Sequence, residues 1–423
     1  MHALLISANT EKINMPTLPM GLGCVAAALE AAGHGVRFLD LMARDDWQAP
    51  LAEALGESPG VIGVSIRNID DQASAAPRFL LEKAREVVAF CRAGSRAPIV
   101  LGGAGYSIFP QSVLDYTGAP MGIQGEGEAA FVTLAERLAV TAPLTDVPGL
   151  YIRGRGLQAP RAYIRDLDRF PLPGPQLFDR RLADDPNFFL PIQTRRGCPL
   201  KCSYCSTAAI EGGLIRKRSP EAVIQALSRW RTEGFSQVYF VDNVFNLPEG
   251  YAVELCERMI LARLRLRWRA ILYPGKVSER LVGAMARAGC REVALGFESG
   301  VQPILDALHK RFSLEDIRRT SRLLADHGIG RMGFLLLGGP GETRDTVLQS
   351  LAFAQELKLN AVKLTLGLRI YPHTELARTA IREGVITAET DLLHPRFYIA
   401  PGLEAWLRAT VENWTADRPN WTV

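Results

Sequence analysis

The chain has 423 residues, of which 48% are apolar and 22% are charged, and its formal net charge is +4. This length is greater than one hydrophobic core usually organises, so we expect two domains and a tail. No apolar stretch reaches the length of a membrane span. The basic residues stand singly rather than in runs, which argues against nucleic-acid binding.

The charge distribution and the cysteine content indicate the kind of ligand and the cellular compartment. Up to Leu150 there are 10 Lys and Arg against 16 Asp and Glu, whereas the remainder has 39 against 29. The cationic C-terminal part indicates a solvated surface with a site for an anionic ligand. Four of the seven cysteines stand singly, namely Cys24, Cys91, Cys256 and Cys290. They do not form the disulfide framework of a secreted protein, so we expect a reducing, cytoplasmic setting.

Residues 1–140 alternate between strand-like and helix-like segments. The opening segment MHALLISANTEK lacks the basic region and cleavage site of a signal peptide, so ALLIS is the first expected core strand. The strands VRFLDL, GVIGVSI and PIVLGGAG follow, separated by helical segments such as GLGCVAAALEAAGHG and PRFLLEKAREVVAFCRA. This α/β alternation predicts a doubly wound, Rossmann-like parallel sheet, whose ligands bind at the carboxyl ends of the strands.

Residues 141–190 do not continue this alternation of strands and helices. The segment IRDLDRFPLPGPQLFDRR is rich in proline and charged residues and lacks a periodic pattern of apolar residues. We expect a linker there. The alternation resumes over residues 191–378, and the helix SPEAVIQALSRWRTEG has Ser219 as N-cap, Pro220 in its first position and Gly234 past its end. The six strand–helix units predict an open, partial (β/α)6 barrel with its chemistry at the strands' carboxyl ends. Residues 379–423 are expected to form a small cap.

Three cysteines, Cys198, Cys202 and Cys205, follow the first barrel strand in the segment GCPLKCSYC. Thiolates favour zinc, Cu(I) or iron–sulfur clusters. A structural zinc site usually has four ligands in paired C-x-x-C units, and the sequence has no second pair. A cubane cluster held by three cysteines leaves one iron open to a substrate or cofactor. A degenerate zinc knuckle and three buried thiols are the alternatives.

The spacing Cys-x-x-x-Cys-x-aromatic-Cys on the first strand of such a barrel resembles the signature of the radical S-adenosylmethionine (SAM) enzymes. The resemblance implies a 4Fe–4S cluster whose open iron binds the amino and carboxylate groups of SAM. One electron from the reduced cluster then cleaves SAM to methionine and a deoxyadenosyl radical. This chemistry implies an electron donor such as a flavodoxin or a ferredoxin.

Further residues match the family's SAM site. Tyr204 corresponds to the aromatic residue near the SAM adenine, and Asp242 and Asn243 end the second strand, where the family binds the methionine amino group. Turn chemistry is the alternative for this Asp-Asn pair. Glu298 and Ser299 end the fourth strand, where they could bind ribose and amine groups.

The later strands add cofactor-binding candidates. Arg311 is a candidate for the SAM carboxylate, because a guanidinium grips a carboxylate with two hydrogen bonds. Lys310 is also considered for that role, but a solvated cationic patch is the favoured reading. The turn LGGPGET with Gly338 and Gly339, and the segment RIYPHTEL with Tyr371, resemble backbone segments that border the ligand.

The N-terminal part resembles the cobalamin-binding domain that precedes some radical SAM barrels. The resemblance lies in the loop NMPTLPMGLGCVAAALEAAGH, the turn LGGAGYSIFP with Gly103 and Gly105, and the segment IQGEGEAAF with Gly125 and Glu126. None of the six histidines lies in the D-x-H-x-x-G context that supplies a lower cobalt ligand, so cobalamin is expected to bind without one. A domain that keeps the fold and holds no cobalamin is the alternative.

The leading functional hypothesis is a class B-like, cobalamin-dependent radical SAM methyltransferase that acts on an unactivated carbon. Two SAM molecules would be used per turnover, one to methylate cobalamin and one to generate the radical. One alternative is a rearrangement or ring closure without methyl transfer. Another is a non-catalytic sensor or scaffold, which would have no use for the three cysteines. Peptide, lipid, sugar and natural-product substrates all stay open.

Overall fold

The computed structural model describes residues 1–10, 18–42 and 46–423, and they fall into two units. Unit 1 comprises Met1–Asp71, Arg78–Phe188 and Thr207–Gly212. Unit 2 comprises Gln72–Pro77, Phe189–Ser206 and Gly213–Val423. The domain boundaries expected at residues 140, 190 and 378 stay predictions. Within the described ranges, every helix is too short or too polar to cross a lipid bilayer.

Unit 1 is built on a seven-stranded sheet. Its strands are β1 (His2–Ser7), β2 (Gly35–Asp40), β3 (Val61–Ser65), β4 (Ile99–Gly102), β5 (Met121–Ile123), β6 (Leu150–Ile152) and β7 (Gly156–Leu157). They lie in the order β2-β1-β3-β4-β5-β6-β7, and the first five are parallel. The predicted doubly wound sheet is confirmed, with its topological switch point between β1 and β3.

Helices cover both faces of this sheet. They are α1 (Met20–Ala31), α2 (Gln48–Gly56), α3 (Leu81–Gly94), α4 (Ala104–Ile108), α5 (Pro110–Thr117), α6 (Gly127–Ala139) and, later in the chain, α7 (Thr207–Glu211). Leu4, Leu5 and Ile6 of β1 are all 0% exposed. Continuous burial along a strand is expected where a parallel sheet is covered on both faces.

The segment expected to be a linker contains regular structure. Strands β6 and β7 form an antiparallel hairpin that extends the sheet of unit 1. The hairpin is followed by short 3-10 turns at Leu167–Arg169, Pro175–Leu177 and Arg180–Asp184. The strands have only three and two residues, which is too short for a readable alternation of apolar and polar side chains.

Unit 2 contains a second parallel sheet of seven strands, ordered β18-β15-β14-β13-β12-β11-β8. Its strands are β8 (Leu190–Ile192), β11 (Gln237–Phe240), β12 (Arg267–Leu272), β13 (Cys290–Glu298), β14 (Gly330–Leu337), β15 (Ala361–Leu366) and β18 (Trp421–Thr422). Two short ribbons pair β9 (Arg195–Arg196) with β10 (Arg216–Lys217), and β16 (Leu368–Arg369) with β17 (Phe397–Tyr398). Among the described strands, β8 and β18 are edges, so the predicted open barrel is confirmed.

Of the eight helices described in the main part of unit 2, five begin at a residue whose side chain caps the helix. The eight are α8 (Pro220–Thr232), α9 (Glu249–Leu261), α10 (Glu279–Arg287), α11 (Gln302–Ala307), α12 (Leu314–Asp326), α13 (Arg344–Glu356), α14 (Glu375–Arg382) and α15 (Glu404–Thr415). Ser219 caps α8 by accepting a hydrogen bond from the Ala222 backbone N–H, and Gly234 lies past its end with φ +98°. The expected cap at the C-terminus also contributes to the sheet, because β18 pairs with β15.

Candidate active site

The three cysteines lie on a loop that follows β8 and β9 at the carboxyl end of the sheet of unit 2. Hydrogen bonds fix the backbone of this loop on two sides: the Ser203 N–H donates to Leu308 O at 3.1 Å, and the Leu376 N–H donates to Ser203 O at 2.9 Å. Within the loop, the Cys205 N–H donates to Cys202 O at 3.1 Å. The loop therefore has a defined path set by the start of α14 and the end of α11.

The approach to the loop is held by Asp242, at the end of β11. One of its oxygens accepts hydrogen bonds from the backbone N–H groups of Thr194 (2.6 Å) and Arg195 (3.0 Å). The other accepts from the Thr194 hydroxyl at 2.6 Å and forms an ion pair with Arg195 Nε at 3.1 Å. These four contacts use the four lone-pair directions of a carboxylate. Asp242 is 0% exposed and positions the turn before the cysteines, and its predicted contact with the methionine amino group stays a prediction.

Arg195 is the cation of this network and is only 2% exposed. Its Nη1 donates to the carbonyl oxygens of Phe245 (2.5 Å) and Leu247 (2.9 Å), and its guanidinium lies 4.6 Å from the ring centroid of Tyr251. Burial raises the pKa of Asp242, whereas the charge of Arg195 and the hydrogen bonds from Thr194 lower it, and the net shift is upward. The predicted contact with the methionine amino group stays a prediction for Asn243, which is partly buried.

Three predicted or considered site residues meet beside the cysteine loop. The Tyr204 hydroxyl and Lys310 Nζ both donate to Glu298 Oε1, each at 3.0 Å, and Lys310 Nζ lies 5.4 Å from the Tyr204 ring centroid. The reading of Lys310 as part of a solvated patch is wrong, because the residue is only 8% exposed. Burial lowers the pKa of Lys310, but the electrostatic effects of Glu298, Tyr204 and Cys202 and the hydrogen bond with Tyr204 together outweigh burial, and the net shift is upward.

The backbone at Glu298 explains how this carboxylate reaches Lys310. The pairing of β13 with β14 shifts register between Gly296 and Glu298, and Glu298 has φ +64°. A non-glycine residue in this region costs free energy and is found where surrounding structure enforces it. Ser299 is 0% exposed and lies 3.0 Å, oxygen to oxygen, from the hydroxyl of Ser350 in α13. Ser299 thus joins the barrel wall, and its predicted contact with SAM stays a prediction.

The glycine-rich turn at the end of β14 is organised by Glu342. Its Oε2 accepts hydrogen bonds from the backbone N–H groups of Gly338 and Gly339, the latter at 2.8 Å. Gly338 has φ +92°, which favours glycine. The other oxygen, Glu342 Oε1, is buried and has no hydrogen-bond partner among the described residues. Burial raises the pKa of Glu342 to about 7, although the two N–H groups lower it.

The remaining barrel candidates lie nearer the surface. Arg311 is exposed, and its backbone N–H donates to the Tyr273 hydroxyl at 2.6 Å. Tyr371 is partly buried, its carbonyl oxygen accepts from the Thr374 hydroxyl at 2.7 Å, and Arg369 lies 5.0 Å from its ring centroid. Tyr371 follows β15 and β16, whereas Arg311 lies between α11 and α12, and the contacts of both residues with SAM stay predictions.

The thiols fit an iron–sulfur cluster in their chemistry. All seven cysteines lie in the described ranges, and none forms a disulfide. Burial raises the pKa of Cys202, Lys310 lowers it, and Cys205 raises it, so the thiols are close enough to interact. The described residues contain no group of three His, Cys, Asp or Glu side chains arranged around a single metal ion. A cubane differs from such a site because each thiolate binds its own iron.

The glycine candidates of unit 1 meet at the carboxyl ends of β3, β4 and β5. A Cβ on Gly103, which has φ +99°, would lie 2.5 Å from Ile66 O, and one on Gly105 would lie 3.0 Å from Arg67 O. Their close approach is thus to the chain's own backbone. The buried Ser107 joins these turns, because its hydroxyl donates to Gly103 O at 2.8 Å and accepts from the Gly125 N–H at 2.9 Å.

Glu126 fixes the segment after the hairpin, since its Oε2 accepts from the Ile164 N–H at 2.7 Å. A small open pocket lies at the switch point beyond β1 and β3, and it is lined by Ala8, Asn9, Thr10, Ile66, Arg67, Asn68, Leu80 and Ala84. Residues 11–17, which include the first four residues of the predicted cobalamin loop, lie outside the described residues.

This edge of the sheet fits a cobalamin held without a histidine. The two histidines of unit 1, His2 and His34, lie at the start of β1 and immediately before β2, at the amino ends of the strands. The carboxyl edge instead offers backbone groups of glycine turns and the exposed side chain of Arg67, whose pKa is lowered by burial of part of the side chain. Both histidines of unit 1 therefore lie at the edge opposite the glycine turns, and cobalamin binding without a histidine ligand stays a prediction.

Sequence reasoning missed three residues that organise these sites: Arg195, Glu342 and Ser107. Glu342 and Ser107 lie within the quoted segments LGGPGET and LGGAGYSIFP, and Arg195 lies two positions before GCPLKCSYC, but none of the three was assigned a role. An arginine directly after a core strand and a glutamate after a glycine turn are signals that could have identified them. Ser107 carries no such signal, because its partners become neighbours only in the folded sheet.

Two family models match the chain. The radical SAM superfamily model matches residues 192–354, and the B12 binding domain model matches residues 6–135. The tryptophan 2-C-methyltransferase of Streptomyces laurentii is 26% identical, over 88% of this chain and 73% of that protein. An uncharacterized methyltransferase, PH0819 of Pyrococcus horikoshii, is also 26% identical, over 91% of this chain and 84% of that protein.

Solved structures agree. The radical SAM methyltransferase TsrM from Kitasatospora setae, with cobalamin and a [4Fe-4S] cluster bound, is 25% identical with a TM-score of 0.86, over 100% of this chain and 90% of that chain. With tryptophan and a SAM analogue bound, the same enzyme gives 26% identity and a TM-score of 0.86. The chain therefore belongs to the radical SAM superfamily, in the branch that carries a B12-binding domain, and is an enzyme close to the cobalamin-dependent radical SAM methyltransferases.

Proposed function

We propose that this enzyme transfers a methyl group from SAM to a carbon atom of a small-molecule substrate. The observation that carries the proposal is the cysteine loop, fixed by Leu308, Leu376 and the Asp242 network at the carboxyl end of the barrel strands. Cys198, Cys202 and Cys205 would hold the cluster, which supplies one electron for SAM cleavage when bound. An external donor, such as a flavodoxin or a ferredoxin, would supply that electron.

The chain's own residues orient and shield the ligands. The Lys310–Glu298 ion pair places a buried charged pair beside Cys202, and Tyr204 covers it with an aromatic ring. The Gly338–Gly339 turn, Asn243, Arg311 and Tyr371 are the candidates for SAM itself. Buried, fixed dipoles of this kind replace water around a reacting group and need no reorganisation during the reaction.

Cobalamin, which carries methyl groups when bound, would lie on the glycine turns at the carboxyl edge of unit 1. Gly103, Gly105, Gly125 and Glu126 shape that edge, and Arg67 offers the cation there. We further propose a cytoplasmic setting, because cluster thiolates require reducing surroundings.

The test is replacement of Cys202 by alanine in protein that has been reconstituted anaerobically with iron and sulfide. We expect the variant to lose the absorbance near 400 nm and all formation of S-adenosylhomocysteine and deoxyadenosine from SAM. Replacement of Cys91, a buried helix residue of unit 1, by alanine is the matched control and should retain both. Deoxyadenosine formation by the Cys202→Ala protein would contradict the proposal.

A second candidate is ring closure without methyl transfer. It is favoured by one relative, the anaerobic magnesium-protoporphyrin IX monomethyl ester cyclase of Rubrivivax gelatinosus, which is 26% identical over 80% of this chain and 62% of that protein. SAM with a deuterated methyl group distinguishes the two functions. Methyl transfer gives S-adenosylhomocysteine in addition to deoxyadenosine and methionine, and its product carries the deuterated methyl group. Ring closure gives only deoxyadenosine and methionine, with no label in the product.

A further inference from the structure

Exposed cations surround the cysteine loop on the surface of unit 2. Lys201 lies within the loop, between Cys198 and Cys202, and is exposed. The ring of His309 approaches it, with Nδ1 3.3 Å from Lys201 O. Two residues further on, Arg311 is also exposed. The exposed side chains of Lys201 and Arg311 thus place positive charge on the surface beside the cysteine loop.

The patch continues onto the loop after β12. The Arg311 N–H donates to the Tyr273 hydroxyl, and the rings of Tyr273 and Phe312 are 4.9 Å apart. Lys276 follows on this loop and is exposed, with Gly275 packed against Phe312. We define the cationic patch as Lys201, Lys276 and Arg311, with the exposed His309 between them.

The charges of the patch are not neutralised within the described residues. None of its three permanent cations forms an ion pair there, whereas arginines on the outer helices are paired with carboxylates, as Arg318 is with Glu356 and Arg258 with Glu254. Two nearby carboxylates already have partners: Asp306 accepts from Gln302 Nε2, and Glu249 accepts from the hydroxyl of Ser278, two residues after Lys276. An unpaired cationic surface attracts an anionic partner and raises its association rate, most strongly at low salt.

We propose that this patch is the docking surface for an acidic one-electron donor protein. The inference rests on the proposed function, because only an enzyme with a cluster in the cysteine loop needs an electron at this place. The donor loses one electron and the cluster gains one, so no bond is made or broken in the docked complex. Lys201 is exposed and directly precedes Cys202 in the chain, so this surface adjoins the thiols.

The experiment measures cluster reduction directly. Reconstituted enzyme is mixed anaerobically with a purified bacterial flavodoxin in its hydroquinone form, and the bleaching near 400 nm is followed by stopped flow. The test variant is Lys201→Glu/Lys276→Glu, and Lys201→Gln/Lys276→Gln gives the graded change. The matched control is Lys358→Glu. Lys358 is exposed, and its φ of +49° resembles those of Lys201 (+51°) and Lys276 (+57°). It lies between α13 and β15, before the amino end of the strand and so away from the patch.

At low salt we expect the double Glu variant to be reduced about 10-fold more slowly than the wild type, with the Gln variant between them. High salt should close most of this gap, and Lys358→Glu should match the wild type. Reduction by photoreduced deazaflavin, a small neutral reductant, should be unchanged in all variants. Equal flavodoxin rates in wild type and double Glu variant, or equal slowing by Lys358→Glu, would overturn the docking surface. A wild-type protein without the 400 nm band would instead overturn the proposed function, and the docking surface with it.

Discussion

Replacement of Asp242 by asparagine removes the negative charge opposite the buried guanidinium of Arg195. The carboxylate has no exposed surface, and the ion pair joins Arg195 Nε and Asp242 Oδ2 at 3.1 Å. An asparagine keeps one acceptor oxygen but presents an NH2 group to the donors of Thr194 and Arg195. One charge of a buried pair is then left uncompensated, which costs about 3–5 kcal/mol of unfolding free energy.

For a unit of this size, that loss lowers the melting temperature of unit 2 by roughly 6–20 °C. Differential scanning calorimetry on the reconstituted protein measures it, with iron content as the second readout, because the distorted turn leads directly into Cys198. The matched control is Glu356→Gln, which breaks the exposed Arg318–Glu356 pair and should cost less than about 1 kcal/mol. An Asp242→Asn protein that melts with the control and binds as much iron would refute the positioning role.

Three further predictions concern other parts of the chain. Burial raises the pKa of Glu342 from an ordinary 4.5 to about 7. The protonated carboxyl therefore contributes fully to the free energy of unfolding below pH 4.5, and this contribution, about 3 kcal/mol, is lost as the pH rises through 7. Urea unfolding at pH values from 5 to 8.5 should show this decline in the wild type and a flatter profile in Glu342→Gln; parallel profiles would contradict it. Gly103→Ala should destabilise unit 1 by about 1–3 kcal/mol more than Gly154→Ala. Both glycines have positive φ, but only a Cβ at Gly103 would meet backbone atoms, and equal shifts of the melting temperature would refute this. Ser107→Ala should cost about 1–3 kcal/mol in the same assay by leaving the Gly125 N–H unpaired, and an unchanged melting temperature would show that this hydroxyl is dispensable.

Local signals made much of the fold predictable. The helix α8 begins and ends where Ser219, Pro220 and Gly234 predict, because capping and backbone preference act within a few residues. The parallel sheets follow from alternating strands and helices in the same way. The hairpin β6–β7 and the strand β18 were not predicted, since two or three residues carry no periodicity and their pairing is decided by the sheet edge they join.

The candidate site was predictable in its cysteines and only partly in its other residues. The burial of Lys310 depends on the left-handed backbone of Glu298, and nothing local to the lysine signals that bulge. Likewise Asp242 is occupied by Arg195, a residue 47 positions earlier in the chain. The role of a carboxylate such as Asp242 can be assigned only from the distances between side chains, because the sequence at a strand end is equally compatible with a residue that binds a cofactor amine.

The central claim is that Cys198, Cys202 and Cys205 hold a cubane cluster with one iron open to SAM. The most direct measurement combines iron and sulfide analysis with electron paramagnetic resonance of the reduced, anaerobically prepared protein, with and without SAM. We expect about four irons and four sulfides per chain, and a spectrum that changes when SAM is added. Zinc in place of iron, absence of inorganic sulfide, or a cluster spectrum indifferent to SAM would contradict the account.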